Sequence, residues 1–580
     1  MKKYIFIFVA LLTAATFVSC NESLLDEPQK GVIAESEYYK TDEECTSALA
    51  GAYAAILHSP YAKFFTYFYA VTTQISDEVY TCDAGYKIDT SHKLMFYTED
   101  ATHSYISSAY MALFTIVYRA NLVIDNFKDG TSAIQKNAVA EARVLRSWAY
   151  IYLTSFWGTP PIVDHVLRTS DEYRQPNSTP EALWQFIIET LDDAIDSGTL
   201  TSKSSVNDKT AVRVTKEFAL ALKGKAQVYS GDYASAKVTL KQVIDSGKYA
   251  LIPSEQLADL FFTSAGNHNV ESMFETNANH TSDNYKTVST SDQWSAYNVI
   301  RIDKFKIKPG SFLTQYGAGW NHWTPTEKFL KAMMENEGMN SYRFKAWMYT
   351  YEDELEMGVT EFSTLRDASR TEYLKNSSID KPSTDCPNGY STDYCTETCG
   401  VWQRKTTIMP DDIYDMGYSR DKVNRRWFRY AEVLLLYAEA CAQLGETSGD
   451  GLTALNSIAE RAGAPTYSTL NMDNVKKEKW FEMWGEHCRF PDLVRWGDAE
   501  KELEDHNNYL PVFFGYKEGK SGADILPDGS NLYDVYEIRY FDAATASGGR
   551  HSFTKGRDEY LPFPSTEIAN NPDLIQNPGW

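Results

Sequence analysis

Histidine is scarce in this 580-residue sequence, with 10 copies that show no paired metal-binding spacing. The H-E-x-x-H zinc signature, the G-x-S-x-G nucleophile elbow and the glycine-rich loops of nucleotide-binding proteins are all missing. Basic charge is in deficit as well, because 56 Lys and Arg face 79 Asp and Glu, for a net charge of −23. Such a chain repels phosphate backbones, so we expect no nucleic-acid partner. From the missing motifs we predict no catalytic residues, no metal site and no cofactor.

Cysteine is also infrequent, with eight copies. Three of them, Cys386, Cys395 and Cys399, lie in a stretch rich in Gly, Pro, Ser and Thr. A structural zinc site normally needs four ligands at tight spacing, and no histidine lies nearby to complete the set. In an oxidising compartment we expect one disulfide within this trio, with its pairing left open. Cys441 stands in a helical pattern and is predicted to be a small buried apolar residue.

The N-terminus carries an apolar run, Tyr4–Val18, behind two lysines. It is too short and wrongly flanked for a permanent membrane span, and it predicts a signal peptide over residues 1–19. Phe17-Val18-Ser19-Cys20 resembles the lipobox of bacterial lipoproteins, although Leu is more usual than Phe17. The resemblance implies acylation of Cys20, which would anchor the protein without spanning the membrane. A plain signal peptide with an incidental cysteine is the alternative, and residues 20–38 are expected to form a flexible tether.

Most of the remaining chain has the three- and four-residue spacing of apolar residues that is typical of helices. Helix starts are predicted at the capping box Thr41–Glu44, at Thr179-Pro180 and at Thr324-Pro325. Residues 39–250 read as an N-terminal helical part and residues 421–580 as a C-terminal one. Between them, residues 251–420 are dense in Gly, Asn, Ser and Thr, which predicts a loop-rich insert with short elements. The predicted fold class is therefore mostly α.

One segment matches the tetratricopeptide spacing of small and aromatic residues, in which two antiparallel helices approach closely. Gly231 and Asp232 are predicted to form its turn and Tyr233 to fill the gap. Residues 430–463 form a looser copy, and 132–156 and 179–197 are expected to be a further helix pair. Several such units predict a helical-repeat scaffold. The matching positions are Gly224, Ala226, Gly231, Tyr233, Ala236 and Leu240 in the first segment, and Ala438, Ala440, Gly445 and Ala454 in the second.

Six further motifs stand in order along the chain. They are LLDEPQ at 24–29, AEARVLRSWAYIYLTSFWGTPPIV at 140–163, RYAEVLLLYAEA at 429–440, ERAGAP at 460–465, EKWFEMWGEHCRFPDLVRWG at 478–497 and LPFPSTEIANNPDLIQNPGW at 561–580. Together these motifs resemble the SusD/RagB family of surface lipoproteins. His487 stands where glycine is common in that family, and Trp580 replaces the usual Tyr. Charged residues of these motifs, such as Arg429 and Glu439, are predicted to cap neighbouring turns or to pair across helices rather than to act in catalysis.

The resemblance implies a SusD-like fold and a non-enzymatic, glycan-binding lipoprotein on the outer membrane, facing the cell surface. Its implied partner is a SusC-like TonB-dependent transporter, and the membrane is contacted through the lipid anchor only. Two alternatives stay open: a glycoside hydrolase, which needs only a pair of carboxylates such as Asp77 and Glu78, or a peptide-binding repeat scaffold.

A glycan binder needs flat aromatic rings for the apolar face of a pyranose and polar groups for its hydroxyl rim. Two regions offer that mixture. The alternative is that their aromatic residues pack in the core instead. Trp320 and Trp294 are the preferred candidates. The full set is Asp77, Tyr80 and Tyr86 in the first region, and Trp294, Tyr297, Asn298, Tyr316, Trp320, Asn321 and Trp323 in the second.

Overall fold

The computed structural model describes residues 38–57, 64–81, 89–170, 172–277, 305–315, 323–362, 399–415, 420–504, 509–542 and 552–580. Within these ranges the protein is mostly helical, as the apolar periodicity predicts. The helices are α1 (Asp42–Leu57), α2 (Phe64–Thr73), α3 (Asp89–Met95), α4 (Ser104–Phe127), α5 (Ala133–Trp157), α6 (Pro180–Asp196), α7 (Lys216–Ser230), α8 (Tyr233–Asp245), α9 (Asp259–Phe262), α10 (Glu327–Glu337), α11 (Tyr342–Trp347), α12 (Tyr351–Met357), α13 (Tyr430–Gln443), α14 (Asp450–Ala462), α15 (Met472–Glu482), α16 (Arg489–Trp496), α17 (Ala499–Glu502), α18 (Leu532–Val535) and α19 (Ser565–Asn570).

The strands of the described residues are short and pair two at a time into antiparallel ribbons. The pairs are β1 with β4, β2 with β10, β3 with β6, β5 with β7, β8 with β9 and β11 with β12. The strands are β1 (Val79–Thr81), β2 (Ser272–Thr276), β3 (Phe305–Ile307), β4 (Trp323–Pro325), β5 (Met348–Thr350), β6 (Val359–Phe362), β7 (Val401–Gln403), β8 (Ile413–Asp415), β9 (Arg420–Asp421), β10 (Arg425–Arg429), β11 (Tyr509–Tyr516) and β12 (Tyr536–Asp542).

Two of the three predicted helix starts are confirmed. The Thr41 amide donates to Glu44 Oε2 at 2.8 Å and the Glu44 amide donates to Thr41 Oγ1 at 3.2 Å, which is a reciprocal capping box. The Thr179 side chain caps α6. The third prediction is wrong, because it starts the helix two residues too early. Thr324 belongs to strand β4, and Thr326 caps α10 instead.

The tetratricopeptide-like hairpin is confirmed as α7 packed against α8. Gly231 ends α7 with φ of +84°, a left-handed conformation that glycine adopts without strain. Asp232 then caps α8 by accepting from the Ser235 amide at 3.1 Å. A Cβ on Gly224 would lie 2.4 Å from Leu240 Cδ2, so the absence of a side chain at Gly224 lets the two helices approach.

The second predicted hairpin, α13 and α14, continues this packing. Helices α5 to α8 contact their neighbours in chain order, and α13 then packs against both α7 and α8. Helices from both ends of the chain thereby share one hydrophobic core. Helix α4 is long and apolar enough to cross a membrane, but it is packed against α1, α2 and α5, which makes it a core helix. The division of the chain at residues 250 and 420 stays a prediction.

Charged residues of the family motifs pair across buried elements, as predicted. Arg429 at the end of β10 donates to Glu271 at 2.7 Å, to Glu482 at 2.5 Å and to Glu486 at 2.7 Å. Arg461 and Arg343 also contact Glu482. Burial would raise the pKa of the Glu482 carboxyl, but the three arginines hold that pKa well below its usual range. These ion pairs join Glu271 and Arg343 to helices α14 and α15.

Glu439 also joins two helices, α13 and α16. Its carboxylate accepts from Arg495 Nη2 at 2.6 Å and from Trp496 Nε1 at 2.8 Å, both at the end of α16. His487 has φ of +65°, the left-handed region that favours glycine, which explains why a glycine suits this position. Its ring lies 2.6 Å from Thr72 Oγ1 and is buried beside Trp427, and burial lowers its pKa to about 3.

The structure tests two of the predictions about cysteine residues. Cys441 is fully buried, as predicted. Cys399 is a buried free thiol, so a disulfide that includes Cys399 is wrong for this structure. Its environment is aromatic: Gly400, the next residue, lies against the rings of Tyr536 and Phe513. Cys386 and Cys395 lie outside the described residues, and a bond between them stays a prediction.

Candidate functional site

The ribbon of β1 and β4 joins the first predicted ligand region to the C-terminal part of the second. Thr81, the last residue of β1, is paired with Trp323, the first residue of β4. The chain leaves Thr81 into residues 82–88 and reaches Trp323 from residues 316–322. Both segments are therefore joined to the same end of one ribbon, although they are far apart in sequence.

A buried carboxylate at Asp77 anchors the ribbon. Arg489 donates to it with two hydrogen bonds, Nε to Oδ1 at 2.8 Å and Nη2 to Oδ2 at 2.9 Å. Lys328 Nζ, on the first turn of α10, donates to Asp77 Oδ2 at 2.8 Å. The two cations outweigh the effect of burial and hold the pKa of Asp77 well below its usual range. The Asp77 carboxylate is thus fully occupied by structural partners.

The next residue, Glu78, fixes both strands through its backbone. Its carbonyl accepts from Trp484 Nε1 at 2.9 Å and from the Thr326 amide at 3.1 Å. Burial, with the Asp77 charge beside it, raises the pKa of the Glu78 carboxyl to about 8. The Glu78 side chain is accordingly protonated at neutral pH, and its Oε2 accepts no hydrogen bond.

Three of the predicted ligand residues are in the interior, so the expectation of exposed side chains is wrong for Asp77, Tyr80 and Trp323. They are 0%, 2% and 1% exposed. Trp323 packs on the Tyr69 ring with centroids 4.6 Å apart. Burial raises the pKa of the Tyr80 phenol well above its ordinary value. The physical reason is shared: each belongs to the ribbon or to its anchor, and the ribbon lies on the core.

The other predicted ligand residues lie outside the described residues and stay predictions. Residues 278–304, which hold three of them, connect β2 to β3. These predicted residues are Tyr86, Trp294, Tyr297, Asn298, Tyr316, Trp320 and Asn321. Cys20, the predicted lipidation site, also lies outside the described residues.

One aromatic pair near this site was not predicted. Tyr67 on α2 stacks on Tyr105 on α4, with ring centroids 4.2 Å apart and planes inclined by 17°. His103 Nε2 lies 2.7 Å from the Thr90 carbonyl oxygen, which places this pair beside the start of α3. Since α3 follows residues 82–88, the stack lies at the other end of a candidate segment. Tyr67 is half-buried, and nothing in its local sequence separates it from neighbouring core aromatics.

The described residues contain no group of three or more His, Cys, Asp or Glu placed to hold a metal ion. The carboxylates nearest the ribbon, Asp77 and Glu78, face the interior rather than a ligand. The described part of this region is therefore a buried ribbon from which residues 82–88 and 316–322 continue.

The fold and the site define a helical-repeat protein that carries aromatic segments on short ribbons. A model of the SusD family matches residues 216–580, more than half of the sequence, and the chain belongs to the SusD family. A SusD-like protein of Bacteroides ovatus is 23% identical, with 99% of this chain and 97% of the relative aligned. The SusD-like protein P38 of Formosa agariphila is also 23% identical, with 98% of this chain and 97% of the relative aligned.

Solved structures show the same fold. A laminarin binding SusD-like protein superimposes with a TM-score of 0.65 at 18% identity, covering 93% of this chain and 100% of the other. Surface glycan-binding protein A from Bacteroides thetaiotaomicron, in complex with laminarihexaose, gives a TM-score of 0.66 at 21% identity over 93% of this chain and 100% of the other.

Proposed function

We propose that this protein is a lipid-anchored glycan-binding protein of the outer membrane that captures an oligo- or polysaccharide at the cell surface. The observation that carries the proposal is the pairing of Thr81 with Trp323, which joins the segments that hold Tyr86 and Trp320 to one ribbon. Membership of the SusD family supports it. So does the likeness to structures whose own ligands are laminarin and laminarihexaose.

The mechanism we propose is capture without chemistry. A pyranose presents a C–H face that stacks on flat aromatic rings and a rim of hydroxyls that hydrogen-bonds to amides and carboxylates. One sugar ring on one aromatic plane contributes ~1 kcal/mol, so several platforms must act together. Trp320 and Trp294 are the proposed main platforms, with Tyr86, Tyr297 and Tyr316 beside them. The ribbon positions the ends of the segments, because Asp77 and Glu78 hold its base to α10 and α16.

The hydrolase alternative makes a different prediction. Asp77 and Glu78 are the carboxylate pair expected for it; both are buried, and the Asp77 carboxylate is held by Arg489. A glycan array with the purified protein identifies the ligand, and incubation with that ligand then measures release of reducing ends. Affinity without turnover supports the binding function, whereas reducing-end release supports a hydrolase.

We further propose that the protein delivers its glycan to a SusC-like TonB-dependent transporter, closing over the transporter mouth like a lid near its tether. The repeat helices α7 and α8 would face that partner. Ligand held between two surfaces gains effective concentration over a single modest site. Purification in mild detergent tests this: a large β-barrel subunit should co-purify, and isolation of a free monomer under conditions that preserve other such complexes would count against it.

A further inference from the structure

A cleft of about 840 Å³ lies between the C-terminal half of α10 and the turn at residues 528–531. Its lining includes Glu335, Asn336, Asp528, Tyr533 and Tyr540, none of which belongs to the ribbon site. The volume is within the range of about 300–1,000 Å³ that is typical of small-molecule sites.

The cleft is rich in hydrogen-bond acceptors. Helices α10 and α14 both end on it, and each is followed by a lining glycine with positive φ, Gly338 at +70° and Gly463 at +74°. The end of a helix carries free carbonyl oxygens and partial negative charge. Glu335 adds an exposed carboxylate, and Asp528 adds another whose pKa is lowered by hydrogen bonds from Ser530. A ligand rich in hydrogen-bond donors fits this lining.

The cleft also has an apolar wall. The Tyr540 hydroxyl donates to Glu327 Oε1 at 2.6 Å, which fixes the orientation of its ring. Lys331 Nζ is 4.3 Å from the centroid of the Tyr533 ring and pairs with Glu327 at 2.7 Å. Gly529, with φ of +74°, packs the turn on Met334, which lines the cleft, because a Cβ on Gly529 would lie 2.8 Å from Met334 Sδ. Aromatic rings and sulfur beside carboxylates complement the C–H face and hydroxyl rim of a sugar.

We propose that this cleft is a second carbohydrate-binding site, which takes a neutral, hydroxyl-rich unit of the glycan; the proposal rests on the proposed function. Helix α10 links the two sites, since it begins two residues after β4 ends and carries the cleft on its last two turns. The 11 residues of α10 span about 16 Å. A polysaccharide that reaches both sites would bind more tightly than either site alone allows.

The test combines a cleft variant with a matched control. Glu335→Arg replaces an exposed acceptor in the cleft by a bulky cation, and Glu189→Arg makes the same charge change on the exposed face of α6. The probes are laminarihexaose, maltohexaose, cellohexaose, xylohexaose and mannohexaose, followed by hydrogen exchange of the full chain with whichever probe binds. When the probe is bound, we expect backbone amides in residues 331–338 and 528–533 to exchange more slowly than in the free protein, both in the wild type and in Glu189→Arg. In Glu335→Arg that protection should be lost, with affinity for the matching polysaccharide at least fivefold weaker.

The two proposals fail in different ways. A hexasaccharide that binds the wild type but protects only segments outside 331–338 and 528–533 contradicts the cleft and leaves the proposed function standing. Equal affinities of Glu335→Arg and Glu189→Arg for the polysaccharide contradict it as well. If none of the five probes binds the wild type, the proposed function and the cleft are both contradicted.

Discussion

Thr81 and Trp323 are paired across the ribbon of β1 and β4, and this pairing relates two segments that the sequence keeps far apart. The base of the ribbon is held by a second long-range contact. Thr326 Oγ1 donates to the carbonyl oxygen of Asp77 at 2.6 Å, and the two residues are 249 positions apart in the sequence. The segments proposed to bind ligand are therefore joined to a buried ribbon.

The ion pair of Asp77 and Arg489 should be a main support of that scaffold. Asp77→Asn leaves the Arg489 guanidinium buried without its counter-charge, and loss of one partner of a buried pair costs about 3–5 kcal/mol. Urea unfolding measures the loss. Asp245→Asn removes an exposed pair with Lys241 and serves as the control, for which we expect a much smaller change. Equal losses in the two variants would show that the buried pair is not a support.

Protonation of Glu78 should make stability depend on pH. Its pKa is raised from 4.5 to about 8, so between these values the folded state holds a proton that the unfolded state releases. Stability contributed by this group is complete below pH 4.5 and is lost as the pH rises towards 8, by at most about 1.4 kcal/mol per pH unit.

Glu78→Gln keeps the side chain neutral and tests this dependence. Its stability relative to the wild type should increase steadily from pH 5 to pH 8, as measured by urea unfolding at each pH. Two stability curves that run parallel over this range would mean that Glu78 does not hold a proton in the folded state.

Close packing of the repeat hairpin predicts a strong effect at Gly224. A Cβ there would lie 2.4 Å from Leu240 Cδ2, and overpacking of this kind costs about 1–3 kcal/mol in Gly224→Ala. Gly51→Ala is the matched control, because Gly51 lies inside α1 with nothing within 4 Å of the added Cβ. It should stabilise the protein by about 0.5–1 kcal/mol. Thermal unfolding distinguishes the two, and a tolerated Gly224→Ala would refute the close approach.

The anchor is tested by Cys20→Ser. Without an acceptor thiol the chain cannot be acylated, so the variant should appear in the soluble periplasmic fraction or remain unprocessed. Cell fractionation followed by immunoblotting measures this. Continued partition with the outer membrane would contradict the assignment of Cys20 as the lipidation site.

The sequence predicts the repeat scaffold well because its signals are local. Gly231 and Asp232 form a turn whose chemistry is contained in neighbouring residues, and Gly224 and Leu240 stand at the tetratricopeptide spacing of two adjacent helices. Burial of Tyr80 and Trp323 could not be predicted in this way, since it follows from the pairing of strands distant in sequence. Locally, an aromatic residue in a polar, glycine-rich stretch resembles an exposed platform, and only tertiary contacts distinguish the two.

The central claim is that Trp320, in the segment joined to the ribbon, and Trp294, in residues 278–304, bind glycan while the ribbon itself is structural. Trp323→Ala removes a fully buried side chain and should cost about 3–5 kcal/mol of stability. Trp320→Ala and Trp294→Ala should instead leave the thermal midpoint nearly unchanged. Each should weaken glycan binding by about fivefold, the equivalent of ~1 kcal/mol.

The most direct measurement is therefore titration calorimetry of Trp320→Ala and Trp294→Ala with the glycan that the array identifies, alongside their thermal midpoints. The account predicts weaker affinity at an unchanged midpoint in each variant. Unchanged affinity in both variants, or a large fall in both midpoints, would contradict it.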